Sequence, residues 1–432
     1  MTHVGFGWRF HPSGALARLR LAVSSALPSK LWLRVSGVVA AVSCALLMGA
    51  DASAVHVAAA SVRATASVRA AAIEQYQQVT APSPELALAA TFTARQLAGQ
   101  RVIYSYSGFT PPSALLKLIR NGEAGGVIFF SGNFKNRTQF TAAVGKLEAA
   151  NASKSNPARG YPLLLMTDQE GGQVRRLPGA PVHSEKWIGS RRTAAERAAA
   201  ATAAGTGAGE NLLSFGLNVN LAPVLDVYRK AGDFDDQFQR SYSMNPNIVS
   251  TLGADFITAQ QATGVAATAK HFPGLGAATA SQNTDNVPVT ITLSKATLQG
   301  VDELPYVAAI KAGVQLVMVS WAKYPNLGSA RPAGLSSVIV HGQLRQRLGY
   351  KGVTITDAIG AGALRAFGST RNRALKAAQA GMELILSAAG SPSEGEQCLA
   401  GLLGGLHSGT LGQSAFQTTV AQILTLRAGL PA

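Results

Sequence analysis

Four stretches of the chain place charged side chains where chemistry is done. Residues 270–274 read KHFPG: a basic pair, Lys270 and His271, ends an apolar-leaning run and is followed at once by Pro273 and Gly274. After a run of small residues the same segment ends in a polar cluster, Ser281, Gln282, Asn283, Thr284, Asp285 and Asn286. Residues 167–176 read TDQEGGQVRR, in which Asp168 leaves an apolar run, two glycines allow a tight turn, and Arg176 follows. An acid, a turn and an arginine make a polar cradle; the competing reading is an Asp that caps a turn beside a surface Arg. Residues 220–226 (NLAPVLD) end on Asp226, and the RSY at 240–242 supplies Arg240. Its planar fork suits ligand oxygens, or a structural pair with Asp226 or Asp235. Asp357 leaves the run VTIT into small residues that leave room for a ligand; otherwise it caps the next helix.

These residues need elements to hold them. From about Glu85 onward, apolar runs at 101–106, 126–130, 163–168, 219–223, 266–271, 316–320, 353–356 and 384–386 alternate with helix-like segments. Short continuous apolar runs fit strands buried on both faces of a parallel sheet. Eight such units predict an α/β fold of the (β/α)8 TIM-barrel type in a single catalytic domain, for which ~250 residues is typical. A doubly wound open sheet is the alternative, but no G-x-G-x-x-G follows the first strand. In the barrel, chemistry sits at the C-terminal strand ends. Asp168, Asp226, the Lys270–His271 pair, Ser320, Trp321 and Asp357 would then share one mouth.

Taken together, TDQEGGQVRRLPG (167–179), NLAPVLDV with RSY (220–242), KHFPG (270–274) and the run from LPYVAAIKAGVQLVMVS (304–320) to VTITDAIGAGAL (353–364) resemble family 3 glycoside hydrolases. The likeness is to the branch of single-domain β-N-acetylhexosaminidases and spans residues from about 85 to 425. It implies a barrel and a retaining mechanism with Asp357 as nucleophile. It also implies that Asp168, Arg176, Arg240, Lys270 and His271 bind the hydroxyls of the terminal sugar. A retaining glycosidase needs a second group, a carboxyl ~5–5.5 Å away in the usual case, to protonate the leaving oxygen. Lys270 and Arg240 nearby would keep Asp357 ionised.

The branch normally reads KHFPGHG, and four residues later Asp-Ser/Thr-His, whose His is the acid/base. Here Leu275 replaces the first His, and Ser281, Gln282 and Asn283 stand at the Asp-x-His positions. None of them shuttles a proton near neutral pH. One account gives the role to Asp285, on a loop of small residues able to close over the sugar, with its pKa raised beside the ionised Asp357. Another takes the acid from elsewhere, such as Glu170 or Asp235. A third makes the chain a catalytically silent glycan-binding protein. Larger relatives draw an acid from a second domain; here only a helical tail follows the last strand, and Glu394 and Glu396 are not expected to reach back from it.

The rest of the chain narrows the class. With 432 residues and a net charge of +16 the protein is basic, but its Lys and Arg are scattered rather than gathered into a stripe, which excludes a nucleic-acid partner. Attraction to an anionic cell wall is a milder use of that charge. Of two cysteines, Cys44 lies in an N-terminal apolar run and Cys398 stands alone, so neither a disulfide nor a Cys metal site is expected. The seven His do not cluster, and neither a metal nor another cofactor is implied. Basic residues followed by the uncharged run 35–50 and an A-x-A pattern make residues 1–54 a signal peptide, or a membrane anchor if uncleaved. Residues 55–84 are an Ala-rich linker, and 85–432 the barrel with its tail. The expectation is a secreted or cell-envelope retaining exo-β-glycosidase, a β-N-acetylhexosaminidase releasing N-acetylglucosamine from cell-wall or chitin-type glycans. A β-glucosidase is the alternative within the class.

Overall fold

The computed structural model describes residues 82–431. The expected leader over 1–54, and the linker over 55–84 as far as Ala81, lie outside the described residues. Ser83 is a helix cap, accepting from the Leu86 amide of the helix Pro84–Ala90.

Eight strands follow: β1 (Val102–Tyr104), β2 (Gly126–Ile128), β3 (Leu164–Thr167), β4 (Val219–Asn220), β5 (Ala266–Phe272), β6 (Leu316–Val319), β7 (Val353–Thr356) and β8 (Ile385–Leu386). All neighbours pair in parallel, in the order β7-β6-β5-β4-β3-β2-β1-β8. The ring closes where Leu384 N donates to Thr354 O at 2.9 Å and Thr356 N to Leu384 O at 3.0 Å. Closure removes the open edges that a doubly wound sheet would keep. The eight apolar runs thus become the eight staves of a (β/α)8 barrel.

Side-chain alternation sorts each strand into two cores. Ile103, Ile128, Leu164, Met166, Leu316, Met318, Val353 and Ile355 fill the barrel interior. Their strand neighbours Tyr104, Val127, Leu165 and Val317 pack outward beneath the helices. The Ala-rich helix Ala194–Leu213 starts with a capping box of Thr193 and Glu196 and buries Ala201, Ala204 and Ala208. Small side chains there bring it close to the helix Pro246–Gln261.

The tail has a structural task. The helix Gln413–Ala428 lays Ile423 and Leu426 into the interior cluster. Arg427 is fully buried and donates to Pro162 O at 2.7 Å and Tyr161 O at 2.9 Å, and also meets Gln100. Those partners precede β3 and β1, so the helix closes the N-terminal end and leaves the C-terminal mouth free. Cys398 is buried and free in the helix Pro392–His407. Among the described residues no helix is long and apolar enough to cross a membrane.

Candidate active site

Where β3 ends, a hairpin takes over, with Gln169–Gly171 antiparallel to Val174–Arg175. Gln169 staples it: its amide nitrogen donates to Leu177 O at 3.0 Å and Ala180 O at 2.9 Å, and its oxygen accepts from Arg176 N at 3.1 Å. Asp168 and Glu170, two residues apart on extended chain, share a face. Both reach Lys270 Nζ, each at 2.7 Å. Arg176 runs back beside Asp168, with its amide 3.3 Å from Asp168 O and its Nε buried without a partner.

Lys270 and His271 come from the end of β5, where pairing with β6 slips between Ala269 and Phe272. A slip of this kind re-aims side chains, and both of these are buried in the same network. His271 Nδ1 lies 2.7 Å from Asp226 Oδ2, and Asp226 Oδ1 accepts from Leu275 N at 2.5 Å. Asp226 arrives there because Val224 bridges Lys270. Glu185 steadies that approach by accepting from Val224 N at 2.8 Å.

Arg240 turns onto carboxylates. It grips Glu170 with two bonds of 2.9 Å and meets Asp235 Oδ1 at 3.0 Å. The structural pairing foreseen with Asp235 is present, and Glu170 is its larger partner. Burial alone would raise the Glu170 pKa, but Arg240 and Lys270 hold it down to about 2. Glu170 therefore stays ionised and cannot supply a proton. Burial opposes the charge on Lys270, yet Asp168 and Glu170 raise its pKa. Burial opposes the charge on His271 too, and Asp226 raises its pKa in turn.

Asp357 leaves β7 half-buried and accepts from its neighbour Ala358 N at 2.7 Å. It caps its own turn, not a helix. Trp321, at the end of β6, fixes that turn by donating from Nε1 to Ala358 O at 2.8 Å.

The loop after β5 carries Asp285. Its root is packed rather than free, with Leu275 and Ala278 in the core and Phe234 N donating to Ala278 O at 2.9 Å. Its far end docks on the loop after β7: Gly362 N donates to Asp285 O at 2.6 Å and Ala363 N to Thr284 O at 3.0 Å. A Cβ on Gly362 would stand 2.1 Å from Asn286 O, so only glycine admits this approach. Sequence pointed to a loop able to close over a sugar; in the structure it already rests against the neighbouring loop. Asp285 is an exposed residue at the rim, where its carboxyl is partly desolvated. That desolvation first, and the charge of Asp357 second, push it up to about 6.

The structure thus brings Asp168, Arg240, Lys270 and His271 into one network, sets Arg176 beside it, and puts Asp285 within electrostatic reach of Asp357. Glu394 is held in structural contacts: its Oε2 accepts from Ser387 Oγ and Ala389 N, both at 3.0 Å, and its Oε1 faces Gly360. It braces the loops after β7 and β8. Sequence reasoning missed Glu185 altogether, because a lone Glu in a polar loop carries no signal of burial. It also missed Glu170 as the hub of the cradle.

Comparison with known proteins identifies the family and the fold. The chain matches the glycosyl hydrolase family 3 N-terminal domain over residues 77–426. An uncharacterised secreted glycosyl hydrolase of Arthroderma benhamiae is 45% identical over 336 residues, covering 78% of this chain and 93% of the relative. β-Hexosaminidase A of Pseudoalteromonas piscicida is 31% identical over 344 residues, covering 74% of this chain but 56% of the relative. A family 3 β-N-acetylglucosaminidase from a Paenibacillus superposes with TM-score 0.73 and 31% identity, covering 78% of this chain and 63% of that one. A β-N-acetylhexosaminidase from Beutenbergia cavernae superposes with TM-score 0.70 and 29% identity, covering 79% of this chain and 100% of that one. With the family match running across nearly the whole described barrel, the chain belongs to glycosyl hydrolase family 3 and is a glycoside hydrolase.

Proposed function

We propose that the protein is a secreted, retaining exo-β-glycosidase that removes terminal N-acetylglucosamine from cell-wall or chitin-type glycans. The names of its relatives support the sugar: a β-hexosaminidase and two enzymes acting on β-N-acetyl sugars are similar over most of the barrel. A secreted relative and the leader-like residues 1–54 support export. The basic charge supports association with an anionic wall.

One observation carries the mechanism. Asp285 is tethered by its own backbone to the loop that follows Asp357, and the nearby Asp357 carboxyl opposes the ionisation of Asp285. Two nearby carboxyls whose environments differ divide into an ionised nucleophile and a protonated acid. Asp357 attacks the anomeric carbon, and the glycosidic oxygen leaves with the proton of Asp285. The Asp285 carboxylate then takes a proton from water, the water oxygen attacks the anomeric carbon, and Asp357 is released. Asp168, Arg176, Lys270 and His271 face the sugar hydroxyls, and Arg240 acts beside them through Glu170.

The test uses the purified chain with an aryl β-N-acetylglucosaminide and an aryl β-glucoside. Release from the first, with the β-anomer as first product, is expected. Asp285→Asn should lower turnover of a substrate with a poor leaving group by ~10²-fold or more. Full turnover by that variant would remove Asp285 from the acid/base role. No release from either substrate would leave a glycan-binding protein.

A further inference from the structure

We infer that Asp235 is a neutral carboxylic acid in the working enzyme, a positioning residue that donates its proton to Asp226 and accepts from Arg240. It thereby ties the arginine side of the sugar cradle to the histidine side. The inference rests on the proposed function for its consequence, but not for its chemistry.

The geometry poses a problem that a proton solves. Asp235 is 1% exposed. Its Oδ1 accepts from Arg240, while its Oδ2 is buried with no partner. The neighbouring carboxyl is Asp226, whose two oxygens already accept from His271 and Leu275. One oxygen of each Asp and one ring nitrogen of His271 lie within 4.8 Å of one another. Two ionised carboxylates this close, away from water, repel. A buried acceptor without a donor costs a further ~1–3 kcal/mol. A single proton on Asp235 Oδ2, shared toward Asp226, removes both penalties.

A metal ion is the other way to join two carboxylates and an imidazole. Here it would stand beside the Arg240 guanidinium and displace the bonds that His271 and Arg240 already make. The wider charge balance agrees with a proton. Ionised Asp168, Glu170, Asp226 and Asp235 would exceed Lys270, Arg240 and a protonated His271 by one negative charge. The other groups around the pair are the phenols of Tyr306 and Tyr324 and the carboxyl of Asp302, and the one further cation there, Arg229, is paired with Asp302 rather than with Asp235 or Asp226. Burial first, and then Asp226, raise Asp235 to about 7, against the pull of Arg240 and His271. Asp226 itself is kept low despite its burial, chiefly by His271.

Asparagine imitates the neutral acid: its NH2 donates to Asp226 and its oxygen accepts from Arg240. The experiment compares wild type, Asp235→Asn and Asp235→Ala in the full chain. Calorimetry gives the affinity for N-acetylglucosamine from pH 5 to 8.5. Infrared difference spectra against Asp235→Asn isolate the carboxylic acid band of Asp235 from that of other buried acids. Wild type should show the band at low pH and lose it, with weaker sugar binding, as the pH passes about 7. Asp235→Asn should lose less affinity than wild type across that range, and Asp235→Ala should bind about tenfold more weakly or worse. No band at pH 5.5, or an Asp235→Asn affinity as poor as that of Asp235→Ala, would make Asp235 an ordinary ionised partner of Arg240. If Asp235→Ala does not fold, the Asn variant and the spectra still decide. If the sugar binds to no variant, the substrate reading fails while the band still reports on the proton.

Discussion

Glu170 is the residue on which the cradle depends. Three of its contacts are charge-assisted: two from Arg240 at 2.9 Å and one from Lys270 at 2.7 Å. Removing one member of a buried ion cluster strands the others, at a cost of ~3–5 kcal/mol. Glu170→Gln should therefore lower the unfolding free energy by about that amount, read from urea midpoints. It should also cut kcat/KM through both KM and kcat, since Lys270 and Arg240 lose their anchor. Glu185 makes the contrast. Burial first, and the charge of Glu170 next, raise its pKa well above the ordinary value and so favour its neutral form. Glu185→Gln should stay within ~0.5 kcal/mol of wild type, as substitutions that remove no buried feature do. If Gln at 185 costs as much as Gln at 170, then Glu185 is ionised and the account of both residues is wrong. The difference between the two acids could not be read from sequence. Asp168 and the Lys270–His271 pair were legible because each ends an apolar run. The pairings were not, because they join residues 102 apart (Asp168 and Lys270), 70 apart (Glu170 and Arg240) and 45 apart (Asp226 and His271).

At the scale of elements, the loop after β5 decides whether Asp285 can serve. Its docking is almost all backbone to backbone, through Gly362 and Ala363. Such contacts leave no side-chain signature, which is why the loop read as free in the sequence. The eight strands were legible because burial on both faces demands continuous apolar runs. The helices Glu185–Gly189 and Phe234–Gln237 were not, since five and four residues are too few to show a period. The docking gives a sharp test. Gly362→Ala puts a Cβ 2.1 Å from Asn286 O, so the segment bearing Asp285 must shift. A misplacement of ~1 Å at a reacting group can cost ~10²-fold in rate. Gly362→Ala should thus lower kcat at least tenfold while the affinity for N-acetylglucosamine stays near that of wild type. Gly132→Ala, which meets nothing within 4 Å, should be silent. Wild-type kcat in Gly362→Ala would show that the docked loop is not the one that works.

At the scale of the molecule, the two ends of the barrel have different electrostatic characters. The closed end is held by a buried arginine donating to backbone carbonyls. The mouth gathers buried carboxyls, some held ionised and some held neutral, and this division sets how stability depends on pH. Asp235 and Asp302 are both raised to about 7; in Asp302, burial and Asp226 outweigh the pull of Arg229. An unfolded carboxyl titrates near ~4. The folded protein therefore holds protons that the unfolded chain releases, and this stability is full below ~4 and is lost as pH rises through about 7. Each such acid tilts the unfolding free energy down by ~1.4 kcal/mol per pH unit in that window. His271, raised by Asp226 against its burial, acts in the same direction. Glu170, held to about 2, acts oppositely: its stability is present above ~4 and is lost as pH falls toward 2. The sum predicts greatest stability at roughly pH 4–5 and a steady fall toward pH 8. Unfolding free energies from denaturant melts at pH 5, 6, 7 and 8 should trace that fall. Asp235→Asn and Asp302→Asn, which cannot release a proton, should each flatten it. A wild-type curve that is level or rising between pH 5 and 8 would mean that both acids are ionised in the folded protein, and the shared proton between Asp235 and Asp226 would go with them.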